Sequence, residues 1–286
     1  MNVKRVVPSG FCKGVVNAIN IAKKTKIDYP DKNIYVLGMI VHNRYVTKEL
    51  EELGIITLDD SKTSKEELID QIDEGVIILT AHGTSDKIKN KALNKGLIVV
   101  DGTCSDVLKT KDIVIEYLNK EYDIIYFGKN NHPEANAIIS IDDRIHLISN
   151  LEDIKALSIN NEKIIITNQT TMSFLELDDM IKAVKEKYPQ VEVISEICNA
   201  TSSRQKAILD LKDCDVLYVV GDVKSNNTNK LYEIGKNSRI KKVFMINEAS
   251  EIKKEDLEPS DNIYVTAGAS TPPDLVNDVL NYLKTI

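Results

Sequence analysis

Hydrophobic positions along this chain fall into short, nearly continuous runs separated by longer polar stretches with helical spacing. The runs include "NIYVLG", "GVIILTA", "LIVVDG", "DIIYFG", "KIIITN", "DVLYVVG" and "NIYVTAG", most of them closing on a small residue. Runs of this length and β-rich composition, alternating with amphipathic Lys/Glu-rich stretches, predict parallel α/β units rather than a sandwich. In an open parallel sheet, ligands lie beyond the carboxyl ends of the strands. The residues just after each run are therefore the ones to read.

Three cysteines set the register of an internal repeat. Cys12, Cys104 and Cys198 stand 92 and 94 positions apart, each after an extended apolar segment ("KRVVPSGFC", "LIVVDGTC", "VEVISEIC") and each before a helix-like stretch. A second element recurs 23 to 26 positions after each cysteine: an apolar run, a glycine and, four positions on, a polar side chain. The pairs are Gly38 with His42, Gly128 with His132, and Gly221 with Ser225. A third element follows 66 to 72 positions after the cysteine, in "ILTAHGTS" with His82, "IITNQTTMS" with Thr170 and "YVTAGASTPP" with Ser270.

Order and spacing together predict three related α/β domains with mostly parallel sheets around a pseudo-three-fold axis. The expected domains are 13–103, 104–197, and 198–286 joined by the N-terminal 1–12, with the site at the centre between all three.

Composition narrows the chemistry. Lys+Arg number 37 against 44 Asp+Glu, a formal charge of −7, which argues against a nucleic-acid partner. An anionic substrate must then be held by local donors rather than by a general positive field. No apolar stretch reaches the roughly 18–20 residues of a membrane span, so no membrane partner is expected. Four cysteines in 286 residues are too sparse for a disulfide scaffold, and a reduced, cytoplasmic setting is expected.

Three thiolates converging from separate units fit a 4Fe–4S cluster with one open iron, or a zinc site, with or without a histidine. The tight spacing of structural zinc ligands is absent. Cys214 precedes its apolar run, and His146 lies within one, so both read as structural. "NNHPEANAI" reads as a helix start, with Pro133 at the first helical position and Glu134 near the positive end of the dipole, where a carboxyl could also carry a proton. "KSNNTNK" reads as a second N-cap whose orphan N–H groups, with Ser225, Asn227, Thr170 and Ser270, could cradle a phosphate or diphosphate. No P-loop or G-x-G-x-x-G fingerprint accompanies it.

Taken as a set, "GFCKGV", "VHNRYV", "AHGTS", "DGTCSDV", "HPE", "QTT", "ICNATSSRQ", "SNNTN" and "TAGAST" resemble the LytB/IspH family over residues 12 to about 275. The resemblance implies a three-domain α/β iron–sulfur reductase. It would convert 4-hydroxy-3-methylbut-2-enyl diphosphate to isopentenyl and dimethylallyl diphosphate by two-electron, two-proton reductive dehydroxylation, the last step of the methylerythritol phosphate route to isoprenoids.

Cys12, Cys104 and Cys198 match the family's ligands to an oxygen-sensitive 4Fe–4S cluster. His42, His82, His132, Ser225, Asn227 and Ser270 match its diphosphate-binding residues. Glu134 matches its proton donor and Thr170 a hydroxyl in the same relay, with His132 beside them. The resemblance implies ferredoxin or flavodoxin as electron donor. An iron–sulfur hydro-lyase and a zinc-binding protein on the same scaffold are the alternative functions. The chain departs from the family where relatives commonly read Ala-Thr-Cys-Pro, which here is Gly102-Thr103-Cys104-Ser105, and where Ser-Ser-Asn reads Ser225-Asn226-Asn227. Asn226 can still donate a hydrogen bond to a diphosphate.

Overall fold

The computed structural model describes residues 1–286. The chain opens with β1 (Asn2–Arg5) and α1 (Lys13–Asp28). The first complete unit follows, with β2 (Ile34–Leu37), α2 (Arg44–Glu52), β3 (Ile55–Leu58), α3 (Lys65–Asp70), β4 (Val76–Leu79), α4 (Asp86–Asn94) and β5 (Ile98–Asp101). Next come α5 (Ser105–Asn119), β6 (Asp123–Phe127), α6 (Pro133–Ile139), β7 (Ile145–Ile148), α7 (Leu151–Ala156), β8 (Ile164–Asn168), α8 (Phe174–Lys187) and β9 (Glu192–Val193). The last unit holds α9 (Asn199–Leu209), β10 (Val216–Val220), α10 (Asn226–Lys236), β11 (Lys242–Ile246), β12 (Asn262–Ala267) and α11 (Pro273–Thr285).

The twelve strands form three four-stranded sheets, ordered β3-β2-β4-β5, β7-β6-β8-β9 and β11-β10-β12-β1. Every strand pair is parallel. The order is the same three times over, counting from the first strand after each cysteine. The third sheet closes cyclically by taking β1 from the other end of the chain, in register Val3 with Ile263 and Arg5 with Val265. In each sheet the strand order reverses between the first and third strands, β2/β4, β6/β8 and β10/β12. Such reversals open a crevice at the carboxyl ends of the strands.

The seven runs read from the sequence correspond to β2, β4, β5, β6, β8, β10 and β12. The strands flanking the reversals are covered on both faces, as parallel sheets require, so β4, β8 and β10 are buried at every position. Residue alternation divides the second sheet between two cores. Ile124 and Tyr126 pack with Val114 and Leu118 of α5 and Ala135 and Ile138 of α6. Ile125 and Phe127 face the opposite way, against Leu177, Met180 and Val184 of α8. Fully burying an aliphatic or aromatic side chain contributes roughly 1.5–3 kcal/mol, so these alternating pairs fix the register.

The edge strands that lead to the cysteines are not buried: β1 and β9 are mostly exposed and β5 is half-buried. "VEVISEIC" is strand only over Glu192–Val193, because this edge carries charge and finds little core to cover. Pairing continues one residue further, where the Ile194 N–H donates to the Ile166 carbonyl at 2.8 Å.

The chain divides into two compact units. The smaller comprises Met1–Val16, Val41–Lys48 and Asn199–Ile286, and the larger Asn17–Ile40 and Glu49–Cys198. The short segment around His42 thus belongs with the C-terminal sheet. Within that unit the Arg44 N–H donates to the Asp222 carboxylate at 3.3 Å, and the Tyr45 hydroxyl donates to Glu248.

Candidate active site

The three repeat cysteines share one backbone bond. The Cys12 N–H donates to the Ala269 carbonyl at 3.0 Å, Cys104 to Ala81 at 3.0 Å, and Cys198 to Thr170 at 3.1 Å. In each case the acceptor lies at the mouth of the third strand, beside or at the residue that the sequence aligns there: Ser270, His82 and Thr170. Each cysteine is therefore tied to the sheet that precedes its helix in cyclic order. None of the four cysteines is in a disulfide, and Cys12, Cys104 and Cys198 are partly exposed. Cys104 occupies the N-cap of α5 without using its side chain as a cap.

Local polar groups pre-set these loops. Asp101 Oδ1 accepts from the Thr103 N–H at 3.0 Å and the Thr103 hydroxyl at 2.6 Å, an Asx turn one residue before Cys104. Asn168 Oδ1 accepts from the Glu196 N–H at 3.0 Å and fixes the approach to Cys198. A Cβ at position 102 would fall 2.5 Å from the Leu79 carbonyl oxygen, so Gly102 permits the close approach of the β5 exit to β4. Ser105 takes the first helical position after the Cys104 cap, where proline is also well suited.

In the larger unit the Glu134 side chain is buried at 1% exposure in the first turn of α6. Its Oε1 accepts from the Thr170 N–H at 2.7 Å and its Oε2 from the Thr170 hydroxyl at 3.0 Å. Burial pushes this carboxyl up to about 7, with Asp106 adding to the rise, although the Thr170 donors and the Tyr126 phenol favour its ionised form. A group balanced there can hold or release a proton near neutrality. His132 caps α6, its Nδ1 accepting from the Glu134 N–H at 3.2 Å. The neutral ring then carries its proton on Nε2, a donor suited to an anionic oxygen. His82 lies edge-on to His132, with ring centroids 5.5 Å apart.

In the smaller unit Ser225 caps α10, its hydroxyl oxygen accepting from the Thr228 N–H at 3.3 Å. The Ser270 hydroxyl is 3.4 Å from that of Ser225 and donates to the His42 carbonyl at 3.1 Å. Asn226 and Asn227 follow in the first turn of α10, both buried. Neither polar atom of the Asn227 side chain has a partner. Two unsatisfied amide atoms at a helix N-terminus are costly unless a polar ligand completes them.

The helix start reaches so deeply into the β10/β12 crevice because that crevice is lined by glycine. A Cβ on Gly268 would fall 2.1 Å from Thr228 Oγ1, and one on Gly221 2.6 Å from the same atom.

His146 and Cys214 take the structural places expected of them. His146 Nε2 is 2.8 Å from Asp123 Oδ1. The Cys214 thiol lies before β10 and contacts the Val216 carbonyl at 3.5 Å, with burial pushing it up to about 12.

Three further residues were not singled out from the sequence. Arg204 of α9 is buried and spans the Ala200 carbonyl at 2.7 Å and the Gly10 carbonyl at 2.6 Å, pinning the loop that leads to Cys12. Gln169 Oε1 accepts from the Lys129 N–H at 3.0 Å, joining the mouths of β6 and β8. Tyr126 is fully buried in β6. Arg204 stands inside the quoted "SSRQ", where a guanidinium on an otherwise polar helix was the available signal.

These features define an α/β protein that repeats one parallel sheet three times, with thiols, a protonatable buried carboxyl and anion-suited donors at the strand mouths. The chain belongs to the LytB family, whose profile, described as "LytB protein", matches residues 3–284. A relative from Geobacillus kaustophilus, named 4-hydroxy-3-methylbut-2-enyl diphosphate reductase, is 44% identical over 99% of this chain and 90% of its own length. A relative of the same name from Bacillus subtilis is also 44% identical, over 99% and 91%.

Among solved structures, the E-1-hydroxy-2-methyl-but-2-enyl-4-diphosphate reductase of Plasmodium falciparum superposes with a TM-score of 0.91 at 31% identity. It covers 99% of this chain and 88% of that one. A second, described as (E)-4-hydroxy-3-methyl-but-2-enyl diphosphate reductase, the terminal enzyme of the non-mevalonate pathway, gives 0.69 at 27% identity with full coverage of both chains.

Proposed function

We propose that this chain is an oxidoreductase acting on 4-hydroxy-3-methylbut-2-enyl diphosphate in the terminal step of the non-mevalonate route. The allylic alcohol takes up two electrons and two protons, the C–O bond breaks, and water leaves with isopentenyl or dimethylallyl diphosphate. The observation that carries this reading is the buried Glu134 carboxyl, held by both donors of Thr170 and balanced near neutrality. A hydroxyl is a poor leaving group unless it is protonated as it departs, and a carboxyl balanced near neutrality, as Glu134 is, suits that role.

Cys12, Cys104 and Cys198 are the residues that would hold a 4Fe–4S cluster. Their partly exposed thiols stand at equivalent strand mouths and are not consumed in disulfides, which suits that role. When bound, such a cluster supplies electrons singly, from ferredoxin or flavodoxin, and Lewis acidity at its open iron. The protein's own groups do the rest. His132 offers an Nε2 proton to an anionic oxygen, and His42 and His82 belong to the same diphosphate-binding set. Ser225, Asn226, Asn227 and Ser270 supply neutral donors, so an acidic chain can grip an anion without a basic field. The Thr170 hydroxyl orients Glu134 and passes a proton along the pair.

The boundaries 13–103, 104–197, and 198–286 with 1–12 mark the three repeats in this reading. No helix is long and apolar enough to cross a membrane, and we take the enzyme to act in the cytoplasm.

The test is iron, acid-labile sulfide and zinc per chain on protein purified without oxygen, followed by turnover of the diphosphate with a chemical reductant. Iron with sulfide and reductant-dependent loss of substrate are expected. Zinc without sulfide would overturn the cluster assignment, and turnover with no reductant would make the protein a hydro-lyase.

A further inference from the structure

Strand β6 carries a buried hydroxyl that the reading above leaves unused. Tyr126 points from β6 into the core formed with α5 and α6 and has no solvent exposure. Its hydroxyl has no close hydrogen-bond partner. A buried phenol so placed loses about the worth of a hydrogen bond unless something meets it.

Space for the ring is reserved. A Cβ on Gly128 would lie 2.9 Å from the ring Cε1 and 3.4 Å from the Ala135 Cβ. Tyr126 and Ala135, the neighbour of Glu134 in the first turn of α6, thus flank the same glycine and share one core. Phenol and carboxyl act on each other there. Burial and then the Glu134 charge push the Tyr126 hydroxyl well above its ordinary value, and the hydroxyl in turn favours ionised Glu134. Tyr126 therefore stays protonated and keeps a proton to donate.

We propose that Tyr126 is a positioning residue for Glu134, its phenol serving as the third donor to the carboxylate once the acid has released its proton. The two Thr170 donors alone leave part of a fully buried carboxylate uncompensated. The phenol turns onto it as the negative charge appears, and relaxes to its partnerless position when Glu134 is reprotonated. The other ionisable groups facing Glu134 are Asp106 from α5 and His132 at the start of its own helix. Neither offers a hydroxyl donor.

The role in turnover rests on the reductase reading, so the primary measurement avoids turnover. The Glu134 carboxyl stretch is followed by infrared titration of oxygen-free holoprotein, with Glu134→Gln subtracted to isolate the signal. In Tyr126→Phe, which fills the same space, the protonation constant of Glu134 should rise roughly three- to tenfold, the worth of one hydrogen bond. Gly128→Ala, which displaces the ring, should shift it in the same direction. The alkaline limb of kcat should move with the infrared midpoint. Unchanged midpoints in both variants would overturn the inference. A shifted midpoint in a protein that does not reduce the diphosphate would uphold the Tyr126–Glu134 coupling and sink the reductase reading instead.

Discussion

Glu134 accepts two hydrogen bonds from Thr170, one from its N–H and one from its hydroxyl. The Thr170 carbonyl accepts from the Cys198 N–H at 3.1 Å. One residue at the mouth of β8 therefore orients the acid and anchors a cysteine loop. The proton-bearing group and a proposed cluster ligand are held by the same residue.

This pair sets a pH dependence of both rate and stability. With protonated Glu134 as the proposed donor, kcat should fall as pH rises through about 7, and Glu134→Gln should lower it by two or more orders of magnitude. Between the ordinary 4.5 and about 7, the folded chain keeps a proton that the unfolded chain releases. Stability is thus lost as pH rises across that window, by on the order of 3 kcal/mol in all. Urea unfolding at several pH values should show that slope in the native protein and not in Glu134→Gln.

Asn227 separates binding from folding. Its buried amide has no partner of its own, so Asn227→Ala should leave thermal stability unchanged or raise it by about 1 kcal/mol. The same change should raise KM for the diphosphate about tenfold or more. Calorimetry and steady-state kinetics on one preparation test both halves. A lower Tm would show that Asn227 has a structural role instead.

The glycine-lined crevice predicts a size limit. Gly268→Ala places a methyl group against Thr228 and should destabilise the protein by roughly 1–3 kcal/mol. Thr228→Ala, which removes the nearest atom, should recover part of that loss. A double-mutant cycle by chemical denaturation reads the coupling directly.

Cys214 should behave unlike the other cysteines. With its thiol pushed up to about 12 by burial and then by the Asp215 charge, only about one molecule in ten thousand carries the thiolate at pH 8. Iodoacetamide should therefore label Cys214 very slowly. Cys214→Ser should retain iron and sulfide, whereas Cys104→Ser should lose them. Mass spectrometry and metal analysis check the two statements.

The amino-acid sequence alone determined the strands flanking each crevice, because a strand buried on both faces must be apolar at nearly every position. "VIIL" in β4 and "VLYVV" in β10 can be read without coordinates. It also determined the candidate residues, since Cys12, Cys104 and Cys198 and the polar positions that follow them repeat at nearly constant spacing. The helix starts at Pro133 and Ser225 were equally legible, because caps are local chemistry.

The edge strands were weaker in the sequence. β9 covers little core, so its two residues carry almost no pattern. The closure of the third sheet by β1, the seating of Thr228 against Gly268, and the approach of Thr170 to Glu134 were decided by tertiary structure alone. These pair residues separated by tens to hundreds of positions through hydrogen bonds, excluded volume and desolvation. Such terms depend on distance in space, and the linear order of residues carries no record of it.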